Sequence, residues 1–462
     1  MTRRKNRSRS FWSNAMSLFV LGVLLILGPV EAWANGTGAT EETEKSVTQK
    51  ILDRMLESKE IDQPTYDAWS AQAAEEASRL GGGPEDWTFL WKDGFRLSRN
   101  DGRFKLRFGG RIQLDVAGIA ESRGLSRVAD GDGIGAEFRR SRIYFSGTMG
   151  AHLLFKAQYD FAGGAGGTDF KDVYLGLQNL PHVGRIRVGH FKEPFGLDEM
   201  TSSNHITFME RSLTNVFNPV RNTGVMIDRT FCDDRIYFGA GGFIISDDFG
   251  MEFSHDSKYS LTTRLAGVPC YADDGSSLLH VGAAYNHRFI SDLRLRQRPE
   301  SHLAQRYVDT GTFLAKDADV FSGEAALVEG PFSVQAEISG ALVNRGLQGR
   351  NVGFWGFYGE TSYFLTGEHR VYDRKRAAFK APKPKRPFSV EKGDWGALQA
   401  VARYSWLNLN DEDIRGGILS DITLGVNWHL YSNTRIMLNY VHAFVNDIGH
   451  ADIVQARFQI VF

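Results

Sequence analysis

The chain has 462 residues with 54 basic and 55 acidic side chains, so a formal net charge of −1 singles out no nucleic acid or other polyionic partner. Charged residues make up 24% of it and no long apolar run follows the first thirty positions, which excludes a helical membrane protein. With 50 glycines, 32 phenylalanines and 15 tyrosines the composition is β-rich, and a membrane barrel hides its apolar content in alternation, so a low mean hydropathy does not argue against a membrane.

The chain opens with a positive cluster, Arg3, Arg4, Lys5, Arg7 and Arg9, followed by an apolar run from Met16 to Gly28 and the small residues of Ala32-Trp33-Ala34. This is the pattern of a secretory signal at 1–34 cleaved after Ala34, too short to span a bilayer. Residues 35–88 read as a periplasmic segment. Val47, Ile51 and Met55, with Leu52 and Leu56, are spaced for a helix, and Pro64 suits the first turn of a second helix through Ser78. Gly81-Gly82-Gly83-Pro84 ends it. A short coiled coil between subunits and a loosely ordered linker both fit this segment, because no heptad is sustained.

From residue 89 onward the expected domain is a barrel. Phe104, Leu106, Phe108, Gly110, Ile112, Leu114 and Val116 alternate with Lys105, Arg107, Gly109, Arg111, Gln113 and Asp115. That run is longer than a soluble strand usually is and covers the nine to eleven residues a tilted membrane strand needs. Comparable segments fall at 103–117, 137–148, 151–161, 171–180, 184–191, 224–231, 234–245 and 258–267, then at 278–289, 318–328, 332–344, 353–366, 394–407, 420–430, 434–445 and 452–462. The even total predicts an all-β fold, a 16-stranded antiparallel transmembrane β-barrel preceded by a short N-terminal helical segment. Tight turns at Met149-Gly150, Pro181-His182, Asp233-Asp234, Gly330-Pro331 and Ser432-Asn433 fall on one side, the periplasmic one, and long loops such as 192–223 and 290–317 on the other. The segment 367–393 is the exception, long but periplasmic. The last strand ends on Phe462 with an apolar and a polar face, the kind of terminus that the barrel-assembly machinery is expected to read. Cys232 and Cys270 fall in periplasmic turns too far apart for an easy disulfide.

Strand parity assigns side chains to lipid or lumen. The inward set contains Lys105, Arg107, Arg111, Arg140, Arg142, Lys156, Arg185, Arg187, Arg235, Lys258, Arg264, Arg288, Arg403, Arg435 and Arg457. Its acids are Asp115, Asp160, Asp172, Glu337 and Glu360, so the lumen reads as cationic although the chain is nearly neutral. A cationic, low-dielectric path concentrates anions, and arginine's planar fork suits oxyanions. Arg294, Arg296, Arg298, Arg306 and Lys316 make the loop 290–317 basic: a constriction if it folds inward, a solvated face if it only caps the mouth. No nucleophile motif or metal-ligand spacing appears, and Asp130-Gly131-Asp132-Gly133 puts Ile134 where a calcium loop needs oxygen. Neither an enzyme, a metal nor a cofactor is expected.

Several of these stretches resemble the phosphate-selective porins O and P. They are Val188-Gly189-His190-Phe191-Lys192-Glu193-Pro194-Phe195-Gly196 with Phe208-Met209-Glu210-Arg211 and Arg221-Asn222-Thr223-Gly224, then Phe364-Leu365-Thr366-Gly367-Glu368-His369-Arg370-Val371-Tyr372, and Leu424-Gly425-Val426-Asn427-Trp428. The resemblance implies a homotrimer of barrels in the outer membrane, bounded by lipid and lipopolysaccharide, with each pore narrowed by inward-folded loops that pass small anions such as phosphate. It makes Lys192, Arg211 and Arg221 constriction candidates beside Arg294, Arg296, Arg298 and Lys316. A lysine ring of the family's phosphate-specific kind is not matched, since the third-loop frame holds Arg211 as its one internal base and the 290–317 loop holds Lys316 as its one lysine. The reading is a passive, anion-preferring porin of phosphate or polyphosphate type. A general non-selective porin and a surface adhesin or receptor barrel stand beside it.

Overall fold

The computed structural model describes residues 55–56, 62–80, 87–91, 94–162, 168–253, 258–272 and 274–462. Its contacts divide the chain into two units, Met1–Asp86 and Trp87–Phe462. The expected signal at 1–34 lies outside the described residues, as does the first expected helix apart from Met55 and Leu56. In the first unit one helix, α1 (Gln63–Leu80), is described. Asp62 caps it by accepting the Thr65 N–H at 3.0 Å, and Pro64 sits in the first turn, where its missing N–H leaves no bond unmade.

The second unit is a closed 16-stranded antiparallel β-barrel. In chain order its strands are β1 (Phe104–Glu121), β2 (Gly133–Met149), β3 (Leu153–Asp160), β4 (Asp169–Leu180), β5 (Gly184–Lys192), β6 (Arg221–Phe231), β7 (Ile236–Ile244) and β8 (Tyr259–Tyr271). They continue with β9 (Ser277–Phe289), β10 (Asp317–Glu329), β11 (Phe332–Asn344), β12 (Val352–Phe364), β13 (Ala397–Asp411), β14 (Ile414–Tyr431), β15 (Thr434–Val445) and β16 (Gly449–Val461). Each pairs with the next, and β16 closes the barrel on β1 in a register running from Ala451 opposite Glu121 to Val461 opposite Arg111. Phe462 and Gly110 then exchange two backbone hydrogen bonds, at 2.6 and 3.0 Å. Closure leaves no edge, which matters in hydrocarbon because each unsatisfied backbone group there costs several kcal/mol.

Burial is inverted relative to a soluble protein. Outward positions such as Ile112, Val188, Leu261, Leu265, Ile338, Leu342, Ile422 and Leu424 are apolar and exposed, while Gln113, Arg264, Asn286, Asn427 and Arg457 are polar and fully buried. This is the alternation of a membrane barrel, with the apolar band facing lipid and the polar set facing a filled interior. A hairpin of Trp87–Trp91 and Phe95–Arg99 continues the sheet beyond the end of β16, pairing Phe95 with Phe108 and Leu97 with Leu106 of β1. Gly94 at its turn has φ +114, and a Cβ there would stand 2.6 Å from the Phe108 carbonyl oxygen, so the turn needs glycine.

Two features depart from the sequence reading. The segment 408–419 falls between two expected strands, but β13 and β14 run through it to a tight turn at Glu412-Asp413, with a bulge between Asn408 and Asn410. The Asn410 carboxamide accepts the Gly417 N–H at 2.7 Å, and Glu412 takes φ +47, so polar residues build the turn rather than loosen it. Short connections thus occur on both ends of the barrel. The second departure is Cys270, which lies within β8 rather than in a turn; Cys232 and Cys270 are both free and exposed.

Three connections fold into the interior: 193–220 between β5 and β6, 290–316 between β9 and β10, and 365–396 between β12 and β13. Their apolar residues build two interior clusters. One joins Phe195, Leu213, Phe217, Leu295 and Ala304 to the wall at Ala117, Val320, Leu407 and Val441. The other joins Tyr372, Ala378 and Phe379 to Phe191, Met226, Tyr237 and Phe243.

Candidate functional site

On β1 the inward residues Lys105, Arg107 and Arg111 follow one another along the wall. The Arg107 guanidinium lies 5.4 Å from the Tyr144 ring centroid and the Lys156 ammonium 5.8 Å from the same ring. Arg111 stands directly opposite Arg142 in the β1–β2 register. Arg142 donates to Asp160 at 2.6 Å, whereas among the described residues Arg111 reaches only the Ser203 hydroxyl, at 2.7 Å. Arg140 donates to Gln113 at 2.8 Å, and Gln113 donates to Gln459 at 2.6 Å.

The register of β1 on β2 shifts between Gln113 and Leu114, whose partners are Arg140 and Phe138. Arg139 is therefore an extra residue in a bulge, and its guanidinium turns inward to grip both oxygens of Glu210 at 2.9 and 3.0 Å. Farther round, Asp172 sits between Lys156 at 2.6 Å and Arg221 at 2.8 Å. Asp228 sits between Arg185 at 2.5 Å and Arg187 at 3.3 Å. Strands β1 to β6 thus form a wall where cations outnumber carboxylates, most of them held in place by an acid.

The opposite wall is richer in acids, and these hold the loops. Glu337 accepts the backbone N–H groups of Leu197 and Asp198 at 3.1 and 2.6 Å and the Tyr358 hydroxyl at 2.6 Å. Glu324 binds Arg264 at 2.6 Å, and Arg264 donates to the Ala377 carbonyl at 2.8 Å, fixing the hairpin Val371–Asp373 and Ala378–Lys380 inside the barrel. His280 supports the same hairpin, 2.6 Å from the Tyr372 hydroxyl.

The 193–220 loop lies against the wall by its carbonyls. Gln113 donates to Ser203 O, Gln459 to Asn204 O, Arg435 to Ile206 O, Asn427 to Thr207 O, Arg457 to Met209 O and Arg403 to Glu210 O. Arg457 also forms a two-pronged pair with Asp115, both contacts at 2.7 Å, and reaches Glu210 at 2.7 Å. Burial disfavours the Glu210 carboxylate, but Arg139, Arg140 and Arg457 outweigh it and hold its pKa far below the usual range. In the same loop Glu199 is buried between Arg211 at 3.0 Å and Lys192 at 2.7 Å. Burial would raise its pKa, yet these two cations hold it at about 2.

The 290–316 loop is anchored by Glu300. Its carboxylate accepts Arg403 at 2.9 Å, Ser405 at 2.5 Å and Thr423 at 2.5 Å, while its backbone N–H donates to Asp421 at 2.9 Å. The loop touches the other through Gln297, which donates to Leu213 O at 3.2 Å.

The sequence-assigned residues divide accordingly. Lys105, Arg107, Arg111, Arg140, Arg142, Lys156, Arg185, Arg187, Arg264, Arg288, Arg403, Arg435 and Arg457 occupy inward positions. Lys192 and Arg211 belong to ion pairs that brace the 193–220 loop through Glu199, whereas Arg221 pairs with Asp172 of the wall. Arg294 is exposed and paired with Asp309 at 2.5 Å, Arg296 and Lys316 are exposed, and Arg298 is half-buried with its guanidinium on the Ala304 carbonyl. Two inward assignments do not stand: Arg235 lies in the exposed turn before β7, and Lys258 precedes β8 and pairs with Asp292 at 2.7 Å. The expected list of inward acids was also too short. Asp228, Glu324 and Asp421 share the parity of Met226, Ser322 and Thr423 and were legible by the same rule, whereas Glu137 and Arg139 were hidden by the bulge. Glu210, Glu300 and Arg370 come from loops, where no periodicity marks an inward residue.

The family model for phosphate-selective porin O and P matches residues 106–462. An uncharacterized protein of Caulobacter vibrioides is 29% identical over 385 residues, 80% of this chain and 74% of its own length. Porin O of Pseudomonas aeruginosa is 26% identical over 420 residues, covering 80% of this chain and 91% of that protein. Among solved structures, the anion-selective porin from Comamonas acidovorans superposes with TM-score 0.50 at 14% identity, over 78% of this chain and 100% of that one. A loop L8 deletion mutant of OmpT from Vibrio cholerae does so with TM-score 0.50 at 12% identity, over 77% and 99%.

Proposed function

Since the chain belongs to the phosphate-selective porin O and P family and is an outer-membrane porin, we propose that it passes small anions, phosphate among them, by passive diffusion along its cationic wall. The observation that carries this reading is the line of Lys105, Arg107 and Arg111 on β1, with Arg140 and Arg142 beside it. There Arg111 and Arg142 face each other across the register while, of the two, Arg142 is the one that pairs with Asp160. Two guanidinium groups against one carboxylate leave positive potential where a solute would pass, and low-dielectric surroundings strengthen it. Many weak sites in series let an anion enter and also leave, as conduction requires. Other paired cations serve differently: with their acids they brace the wall and keep the loops in place.

The expectations that accompany this reading are that 1–34 is removed on export, that 35–88 stays in the periplasm, and that three copies assemble in lipid and lipopolysaccharide after the assembly machinery has read Phe462. No covalent chemistry is part of the proposal. Planar-bilayer conductance with phosphate titrated against chloride tests it. Phosphate is expected to reduce the chloride current at low concentration, and neutralising Arg294, Arg296 and Arg298 together is expected to weaken that effect. A chloride current indifferent to phosphate would remove phosphate from the proposal and leave a general anion porin.

A further inference from the structure

The 365–396 segment begins inside the barrel and ends outside it. Tyr372 and Phe379 pack in the interior, but Phe388 and Trp395 lie against the outward face of β14. The Phe388 N–H donates to Leu430 O at 2.9 Å, its carbonyl accepts the Tyr431 hydroxyl at 2.9 Å, and the Trp428 indole N–H donates to Trp395 O. The rings of Phe388 and Trp395 stand 5.7 and 6.2 Å from that of Trp428. A bridge between Ser389 and Asp394 closes a small turn that leaves Val390 82% and Trp395 68% exposed.

We propose that this ledge, Phe388 to Trp395 on β14, binds an anionic phospholipid of the inner leaflet, with its rings at the boundary of headgroup and acyl chain and its lysines on the lipid phosphate. The proposal goes beyond the anion-passing reading and shares with it only the orientation that turns the Phe462 end of the barrel to the periplasm.

The apolar surface of the ledge is continuous with the lipid face. Trp428 has the parity of Ile422, Leu424 and Val426, the outward residues of the same strand. At the same end, beyond β15 and β16, the hairpin before β1 repeats the arrangement: Phe95 and Leu97 stand opposite Phe108 and Leu106, and the Trp87 ring lies 5.0 Å from Phe104. Its Phe89 and Trp91 are 66% and 68% exposed. Tryptophan at the end of an apolar band marks the depth of the headgroups, where its ring is in hydrocarbon and its N–H meets polar groups.

Charge selects the lipid. From Lys383 to Asp394 the chain carries four bases, Lys383, Lys385, Arg386 and Lys392, all exposed, against Glu391 and Asp394. Asp394 engages Arg386 at 3.5 Å, while Lys383 and Lys392 pair with no acid among the described residues. A zwitterionic headgroup brings its own cation, whereas an anionic one leaves its phosphate to the lysines. Lysine is depleted from the cores of protein interfaces, so this ledge suits a membrane better than a second copy of the chain.

Tryptophan quenching by lipids brominated in the upper acyl chain tests this, with the full-length porin reconstituted in phosphatidylcholine vesicles. Brominated phosphatidylglycerol is expected to quench at a lower mole fraction than brominated phosphatidylcholine, and Trp395→Phe to remove part of that quenching. Lys383→Gln with Lys392→Gln is expected to raise the half-quenching fraction of phosphatidylglycerol about tenfold and to leave that of phosphatidylcholine unchanged. Wild-type conductance in both variants shows that the barrel is intact. Equal quenching of the wild type by the two lipids, or identical quenching of wild type and Trp395→Phe, overturns the proposal. So does a Trp395 that is quenched only after oligomers are dissociated, which would seat a second copy on the ledge. Each of these results leaves the anion preference of the channel, measured separately, standing.

Discussion

Replacing Arg457 by methionine removes the cation that joins the wall to the 193–220 loop while keeping most of the side-chain volume. Arg457 is fully buried, contacts Asp115 twice at 2.7 Å and Glu210 once at 2.7 Å, and donates to Met209 O. Glu210 keeps Arg139 at 2.9 Å, so its loss is partial. Asp115 is 3% exposed and no other cation contacts it among the described residues, so it becomes a buried, uncompensated charge. Breaking such a pair from one side costs about 3–5 kcal/mol. Asp115→Asn, which leaves Arg457 paired with Glu210, is expected to cost about 1–3 kcal/mol. The double variant is expected to recover part of the Arg457→Met loss, giving a coupling of about 2 kcal/mol in a double-mutant cycle. Reversible urea unfolding in detergent micelles measures all four proteins. An Arg457→Met variant within about 1 kcal/mol of wild type, or a coupling near zero, would refute the claim that this pair holds the loop.

Glu300→Gln weakens the anchor of the 290–316 loop, since Arg403 loses its nearer charged partner at 2.5 Å and keeps Glu360 at 3.8 Å; larger conductance with noisier current is expected in bilayers, and an unchanged open-channel trace would count against the anchoring role. His205 makes a signed pH prediction. The unfolded chain protonates it near 6.5 and the folded chain near 3, so its contribution to stability is complete above 6.5 and shrinks as pH falls through that window. Urea midpoints at pH 7 and pH 4.5 check this, and His205→Gln is expected to remove part of the slope; an identical slope in the variant would show that other groups account for it.

How much of this was legible in the sequence depended on whether alternation was interrupted. Phe332–Asn344 and Thr434–Val445 were read at the limits the structure has, because each alternates without a break and stops at a turn. The longer reach of β2, β13 and β14 was not, because Gly133 to Ala136 and Asn408 to Leu419 look like loop chemistry, and only pairing with a neighbour makes them strand. One inserted residue, Arg139, was enough to hide two inward charges, since a bulge breaks the rule that opposite parity means opposite face. The loops carry no comparable code. Nothing local to Glu300 says that it will meet Arg403, or that Tyr372 and Phe379, in a segment otherwise basic and extended, will enter the barrel. Sign was the harder quantity. Parity located the lumen's cations and also marks Asp228 and Glu324 in the wall as inward, but the loop acids that neutralise others, Glu210 and Glu300, became apparent only once strands and loops were placed together.

The central claim is that the unbalanced cations on β1 and β2 set the preference of the path. The zero-current potential of the purified full-length porin across a bilayer in a potassium chloride gradient measures this directly. The account predicts a potential of the sign set by chloride movement, reduced toward zero in Arg111→Gln with Arg142→Gln. A wild-type potential at zero, or of the sign set by potassium, would contradict it.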